Sequence, residues 1–428
     1  MRRLLPLLCL APALLGCEDD PPRAAIDVRI VTTTGEDPLE APGVARFTLA
    51  MEQTGRARTE LEADADDRSA AIELGSLSAD TRLRVRLESA DGAVLLHGAP
   101  PTFAPISAGG LVRVLVGPPG VCEVVPEAEL DLPRTLPAGA RLDTFALFLA
   151  GEASGAPSSA VEFLDLLRFY PGELEDLSLA QGPARGAAVG LSTMLAVTGE
   201  GAVLYDLASA DERETSLALH DGADAQSATV ALPGGGALVA GGTASAGLTF
   251  VAADGSTSAA TLTAPRAAPL LVPFDGGRVL VVDAAEGAEV VSAAGAPSLV
   301  DLPAFAPAAA IRDGDAVLLV GEGSDGPATL ALEGCPGACV ASAGPAWPMA
   351  RAGVVSAGPY LVGGALVERA THGEDGWRIE PAWELARTHR APLALLFESG
   401  VLVVVAGEDD GGPVPFVELC FPETLTEL

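Results

Sequence analysis

Lysine and asparagine occur nowhere in the 428 residues, so all 25 basic side chains are arginine. Without lysine there is no P-loop lysine, no Schiff base and no Ser-x-x-Lys nucleophile pair. Histidine is scarce too: His97, His220, His372 and His389 are the only four, and no two have the spacing of metal ligands. No G-x-S-x-G nucleophile elbow occurs. Positive charge is short, with 25 Arg against 58 acidic residues and a net charge of −33. That surplus of acid argues against nucleic acid as a partner, because phosphate binding needs clustered cations. Apolar residues are plentiful at 49%, enough for a packed core, and the length fits two or three domains.

Arg2 and Arg3 precede an apolar stretch, Leu4 to Leu15, interrupted by Pro6 and Pro12. It is shorter than the roughly 20 residues a helix needs to cross a bilayer, so it reads as an export signal. It ends in Leu14-Leu15-Gly16-Cys17, which resembles the bacterial lipobox. The resemblance implies removal of residues 1–16 as a lipoprotein signal peptide and acylation of the Cys17 thiol. Acyl chains on Cys17 would anchor the chain to the lipid bilayer, with residues 17–24 as a polar tether stiffened by Pro21 and Pro22. Glu18, rather than Asp, follows the cysteine, which favours the outer membrane of the cell envelope.

Cys9 leaves with the signal, so four cysteines remain beside Cys17: Cys122, Cys335, Cys339 and Cys420. An even number in an exported chain suggests disulfides. Cys335-Pro-Gly-Ala-Cys339 closes a tight turn and suits local pairing, which leaves Cys122 for Cys420. The rival reading of the C-x3-C pair is a zinc site. It would need two more ligands, and no histidine stands beside it.

Residues 25–118 read as short strands. In Thr81-Arg-Leu-Arg-Val-Arg-Leu-Glu88, Leu83, Val85 and Leu87 face one way while Arg82, Arg84, Arg86 and Glu88 face the other. That alternation describes a sheet with one wet face. Asp91-Gly92 suits a hairpin turn. Several such strands in a segment of this size predict an immunoglobulin-like β-sandwich. Gly117-Pro118-Pro119-Gly120 then breaks the pattern as a domain boundary.

From residue 121 to 428 the chain repeats. Apolar runs end at Gly151, Gly199, Gly241, Asp283, Gly321, Gly363 and Gly407, at steps of 48, 42, 42, 38, 42 and 44 residues. Each run is preceded by another apolar strand across a Gly turn and followed by a third and a shorter fourth. Repeats of about 40–50 residues built from strands predict the blades of a β-propeller, six or seven here. Residues 121–132 could add a strand to the last blade and close the ring.

The units resemble kelch repeats. Gly241-Gly242 and Gly363-Gly364 keep the family's double glycine. Tyr170 and Tyr205 stand where its third-strand aromatic belongs. Trp347-Pro-Met-Ala-Arg351 and Trp383-Glu-Leu-Ala-Arg387 match its Trp-to-Arg junction, and Arg185 and Arg266 match the Arg alone. In the family these residues are structural, so none is a candidate catalytic residue. Galactose oxidase, on a kelch-like propeller, binds copper through Tyr and His, but only Tyr170, Tyr205 and Tyr360 exist here. Asp254-Gly255-Ser-Thr257 hints at a sialidase Asp box and lacks its aromatic. Gly321-Glu-Gly323-Ser-Asp-Gly326 matches G-x-G-x-x-G, yet strand pattern follows where a nucleotide needs a helix, so no nucleotide is expected.

The acidic loops Asp64-Ala-Asp66-Asp67, Asp221-Gly-Ala-Asp224 and Glu408-Asp409-Asp410 leave Ca²⁺ as the one cofactor to consider. The sequence therefore describes an all-β lipoprotein of the cell envelope. Its expected role is a non-catalytic binding or scaffold module, with an envelope protein or glycan as partner. The alternative is an enzyme acting on carbohydrate or another envelope polymer from one face of the propeller.

Overall fold

A computed structural model describes residues 26–65, 76–108, 110–178, 181–209, 213–347 and 353–426. Residues 1–16, expected as the signal peptide, Cys17, the expected tether through residue 24, Asp66, Asp67 and Arg351 lie outside the described residues. The fold is all-β, and two short 3-10 turns, Pro38–Glu40 and Pro126–Ala128, are the only helical pieces among the described residues. No helix among them is long and apolar enough to cross a membrane.

The N-terminal part contains a four-stranded antiparallel sheet, ordered Thr59–Asp64, Arg46–Gln53, Thr81–Glu88, Val94–Gly98, and a parallel pair, Asp27–Thr32 with Leu111–Val116. Alternate residues of both sheets enter one core: Phe47, Leu49 and Met51, Leu83, Val85 and Leu87, and Val112, Val114 and Val116. Gly92, at φ +85°, supplies the turn between Glu88 and Val94. One expectation needs correction. Arg84 does not sit on a wet face; it is 2% exposed, as is Ala50 directly opposite it in the ladder, so the centre of that face is covered.

Seven sheets follow. Their leading strands are Ala138–Leu142, Arg185–Ala188, Ala228–Ala231, Leu270–Phe274, Ala306–Asp313, Val355–Ala357 and Leu393–Leu396. Each packs beside the next, and the seventh packs beside the first. The apolar runs found in the sequence lie on the second strand of every sheet. In the fifth, Val317 and Leu319 face a core shared with the fourth sheet, while Leu318 and Val320 face one shared with the sixth. Both faces are buried, which is why these strands read as unbroken apolar runs. Every neighbouring pair of sheets shares such a cluster, the seventh and first included. At about 25 cal/mol per Å² of apolar surface buried, these clusters are the main stabilising term.

The sixth sheet departs from the four-stranded pattern. It has three strands, and two of them, Tyr360–Gly373 and Gly376–His389, run for 14 residues each. Gly363-Gly364 resembles a strand end in the sequence. In the fold the ladder shifts register after Gly364, itself at φ +64°, and the strand continues.

The seventh sheet takes its outer strand from the other end of the repeat region. Cys122–Val124 pairs antiparallel with Val417–Cys420, bringing Cys122 opposite Cys420. Both expected cysteine pairs, Cys122 with Cys420 and Cys335 with Cys339, lie at disulfide distance.

The Gly117–Gly120 segment is a packed junction. Gly120 N–H donates to the Phe421 carbonyl, and a Cβ on Gly117 would lie 2.2 Å from the Phe421 ring. Val31, Ala99 and Leu115 of the N-terminal part share one core with Phe148 and Leu164 of the first sheet and Val403 and Phe421 of the seventh.

Candidate functional site

Four residues before several leading strands, a polar side chain is buried in the sheet it introduces. Arg134 donates from Nη2 to Glu162 at 2.7 Å and from Nη1 to the Ala150 and Ala160 carbonyls at 2.8 and 2.6 Å. Arg266 donates from Nε and Nη2 to Glu289 at 3.1 and 2.8 Å and from Nη1 to the Gly287 carbonyl. His389 places Nε2 3.0 Å from Glu418 and Nδ1 2.6 Å from the Ala406 carbonyl. At the second sheet the position is Gln181, which accepts from Thr198. Each fixes a connecting loop to its own sheet. Burial lowers the Arg134 pKa, and Glu162 acts against the shift.

These bonds reassign part of the kelch-like pattern. Arg266 holds the junction position. Arg185 does not; it lies four residues beyond, on the second leading strand itself. Arg387 stacks over Phe416 at 5.1 Å, and the junction role there belongs to His389. Trp347 donates to Glu368 at 2.9 Å, and Trp383 packs on Tyr360 and donates to the Phe421 carbonyl. The signal that could have found the locks is a lone glutamate in an apolar third strand: Val161-Glu-Phe, Ala288-Glu-Val and Val417-Glu-Leu.

Two residues before the leading strands the backbone turns left-handed at Leu136, Ala268, Gly353 and Ala391, with φ of +47°, +47°, +67° and +49°. For non-glycine residues this costs of order 1–3 kcal/mol each. Hydrogen bonds between neighbouring loops hold the turns: Ala184 N–H to Leu136 O, Ala268 N–H to Gln226 O and Ala391 N–H to Gly353 O. Two of these arches, at Leu136 and Ala391, line a cavity of about 380 Å³ beside the leading strands. Its walls come from five sheets and include Leu136, Phe148, Val355 and Leu393. Gly186 lets two of these sheets meet here, since a Cβ on it would lie 3.0 Å from both Ala138 Cβ and Gly139 N.

Among the described residues, Arg185 is the one charged residue in the wall. Burial lowers its pKa, and no carboxylate among the described residues opposes that shift. The described residues of the wall contribute no imidazole, phenol, thiol, hydroxyl or carboxylate.

The other residues singled out in the sequence do not converge on this cavity. Tyr170 is exposed on an outer strand, Tyr205 donates to the Glu175 carbonyl, and Tyr360 is buried against Trp383. His97 sits under Phe421, His220 bonds Thr249, and His372 stacks on Trp377. Asp224 accepts from the Gln226 and Thr243 amides, Asp409 from Gly411 and Asp254 from Ser256. These carboxylates are turned onto nearby backbone amides, and no group of three potential metal ligands forms among the described residues. The G-x-G-x-x-G stretch is a hairpin turn between Ala316–Gly323 and Gly326–Glu333.

No family model and no curated protein sequence matches the chain. Among solved structures, a fungal alcohol oxidase of the AA5 family in complex with copper is similar in fold. Its TM-score is 0.54 at 11% identity, covering 71% of this chain and 76% of that one. A structure described as YjhT has a TM-score of 0.45 at 14% identity, covering 70% and 98% of the two chains. Hydrazine synthase of Kuenenia stuttgartiensis has 0.46 at 12% identity, covering 64% and 93%. Copper does not fit the cavity in this chain, because its wall contributes none of the Tyr or His donors that such a metal takes.

Proposed function

We propose that this chain is a binding module of the bacterial cell envelope. In this reading the seven sheets are the blades of a degenerate kelch-like propeller, the N-terminal part is an immunoglobulin-like sandwich, and acylated Cys17 holds both to the outer membrane. What supports the ring is the cyclic order of contacts among the leading strands, together with the core shared by the seventh and first sheets. The ligand site is the mouth formed by the arched loops.

One observation carries the choice of binding over catalysis. Among the described residues the mouth holds a single guanidinium beside apolar and small residues, with no general base or nucleophile to work with it. Buried polar groups elsewhere, such as Glu162, Glu289 and Glu418, are engaged in holding loops to strands.

The test is capture from envelope extracts by the mature chain carrying Cys17→Ser, compared with the same chain filled at the mouth by Ala308→Trp. The reading predicts a component retained by the first and lost by the second, with both chains equally folded by circular dichroism. Equal capture by both, or turnover of an envelope polymer by the unfilled chain, would contradict it.

A further inference from the structure

We propose that Arg185 anchors a small monocarboxylate with an apolar body, seated in the cavity among the leading strands. This rests on the reading of the mouth as a binding site and adds the ligand's chemistry.

The observation is an arginine without its acid. The chain carries more than two carboxylates for every arginine, and several of its other buried or part-buried arginines pair with one. Arg134 holds Glu162, Arg266 holds Glu289, Arg113 holds Glu127 and Arg312 holds Asp275. Arg185 has no such partner among the described residues. Its one hydrogen bond is a long 3.4 Å contact to the carbonyl of the preceding Ala184. A guanidinium partly removed from water and left unpaired is destabilising. A bound anion would offset that cost.

The wall narrows the class of anion. A planar guanidinium fork matches a carboxylate through two parallel hydrogen bonds. One cation balances one negative charge, whereas a phosphate monoester dianion would keep a second charge unmatched inside a chain of net charge −33. The remaining described lining, Leu136, Pro137, Phe148, Val355 and Leu393 among it, offers apolar contact and no polar side chain for a hydroxylated body. A volume of about 380 Å³ is at the small end for ligand pockets, so the body is compact.

The experiment uses the mature chain with Cys17→Ser. It is titrated by calorimetry and ligand-observed NMR with phenylacetate, 4-phenylbutyrate and hexanoate, the corresponding amides, and phenyl phosphate. Saturable binding of at least one acid is expected, at least tenfold tighter than its amide and than phenyl phosphate. Arg185→Gln should weaken that acid at least tenfold, and Arg185→Lys, which keeps the charge and loses the fork, should weaken it as well. Without ligand, Arg185→Leu should melt at or above the wild-type temperature, because it removes an unpaired charge. A fall of several degrees in that variant would make Arg185 a structural residue and overturn the proposal. Acid binding that survives Arg185→Gln would overturn it too. Equal binding of acids and amides would end the carboxylate assignment while leaving the mouth a binding site. Failure of every acid would end the assignment alone, since capture through the mouth is judged by the Ala308→Trp comparison.

Discussion

Cys420 stands directly opposite Cys122 in the outer ladder of the seventh sheet, although 298 residues separate the two in sequence. The pair ties the end of the repeat region to its beginning. The Cys335–Cys339 pair spans four positions and closes only a local turn. By chain entropy, closing the long loop contributes about 6 kcal/mol and the short one about 2 kcal/mol. Cys122→Ala with Cys420→Ala should therefore lower the denaturation midpoint more than Cys335→Ala with Cys339→Ala. Urea unfolding under matched conditions measures the difference.

The buried pair of Arg266 and Glu289 yields a sign test. Both side chains are fully buried, with Nη2 2.8 Å from Oε1. Arg266→Met leaves a lone carboxylate in the interior and should cost roughly 3–5 kcal/mol. Arg266→Met combined with Glu289→Leu removes both charges and should recover most of that loss. A double-mutant cycle by urea denaturation reads the coupling.

His97 predicts acid sensitivity at the junction with the N-terminal part. It is 2% exposed beneath Phe421. Burial lowers its pKa to about 4, with Arg86 and Arg84 adding to the shift and a hydrogen bond to the Pro422 carbonyl opposing it. Between pH 4 and the ordinary 6.5, the unfolded chain takes a proton that the folded chain refuses. Stability from this residue is full above about pH 6.5 and falls as the pH drops toward 4. At ~1.4 kcal/mol per pKa unit the loss is roughly 3 kcal/mol. His97→Gln should flatten the wild-type stability profile between pH 6.5 and 5, where most carboxylates are still ionised.

Anchoring has its own readout. The lipobox reading predicts that mass spectrometry of the mature protein finds residue 17 at the N-terminus with acyl chains on its sulfur. Cys17→Ser should release the protein from membranes. A wild-type protein with an unmodified Cys17, or with an N-terminus elsewhere, would end the lipoprotein account and leave the fold untouched.

The sequence reveals most where burial is two-sided. Runs such as Leu318-Leu-Val-Gly321 and Leu238-Val-Ala-Gly241 mark the second strand of each sheet because both faces meet apolar neighbours. The cysteine pairs follow from counting. The polar locks are less legible, because an arginine's partner lies two strands away and nothing local distinguishes Arg185 from Arg266. Their opposite fates follow from position: Arg266 stands four residues before its leading strand, within reach of Glu289, while Arg185 stands on the leading strand itself, with Gln181 in the junction place. Arg84 shows the same limit: alternation predicts its face, while packing from elsewhere in the chain decides its burial. The 14-residue strands of the sixth sheet are hidden by Gly363-Gly364, a pair that permits a turn without requiring one.

Closure of the repeat into a circle is the claim on which the mouth depends, and non-reducing peptide mapping of the mature protein tests it most directly. The account predicts one peptide pair joined through Cys122 and Cys420 and a separate local bridge between Cys335 and Cys339. A free thiol at Cys122, or a bond from it to Cys335 or Cys339, would contradict it.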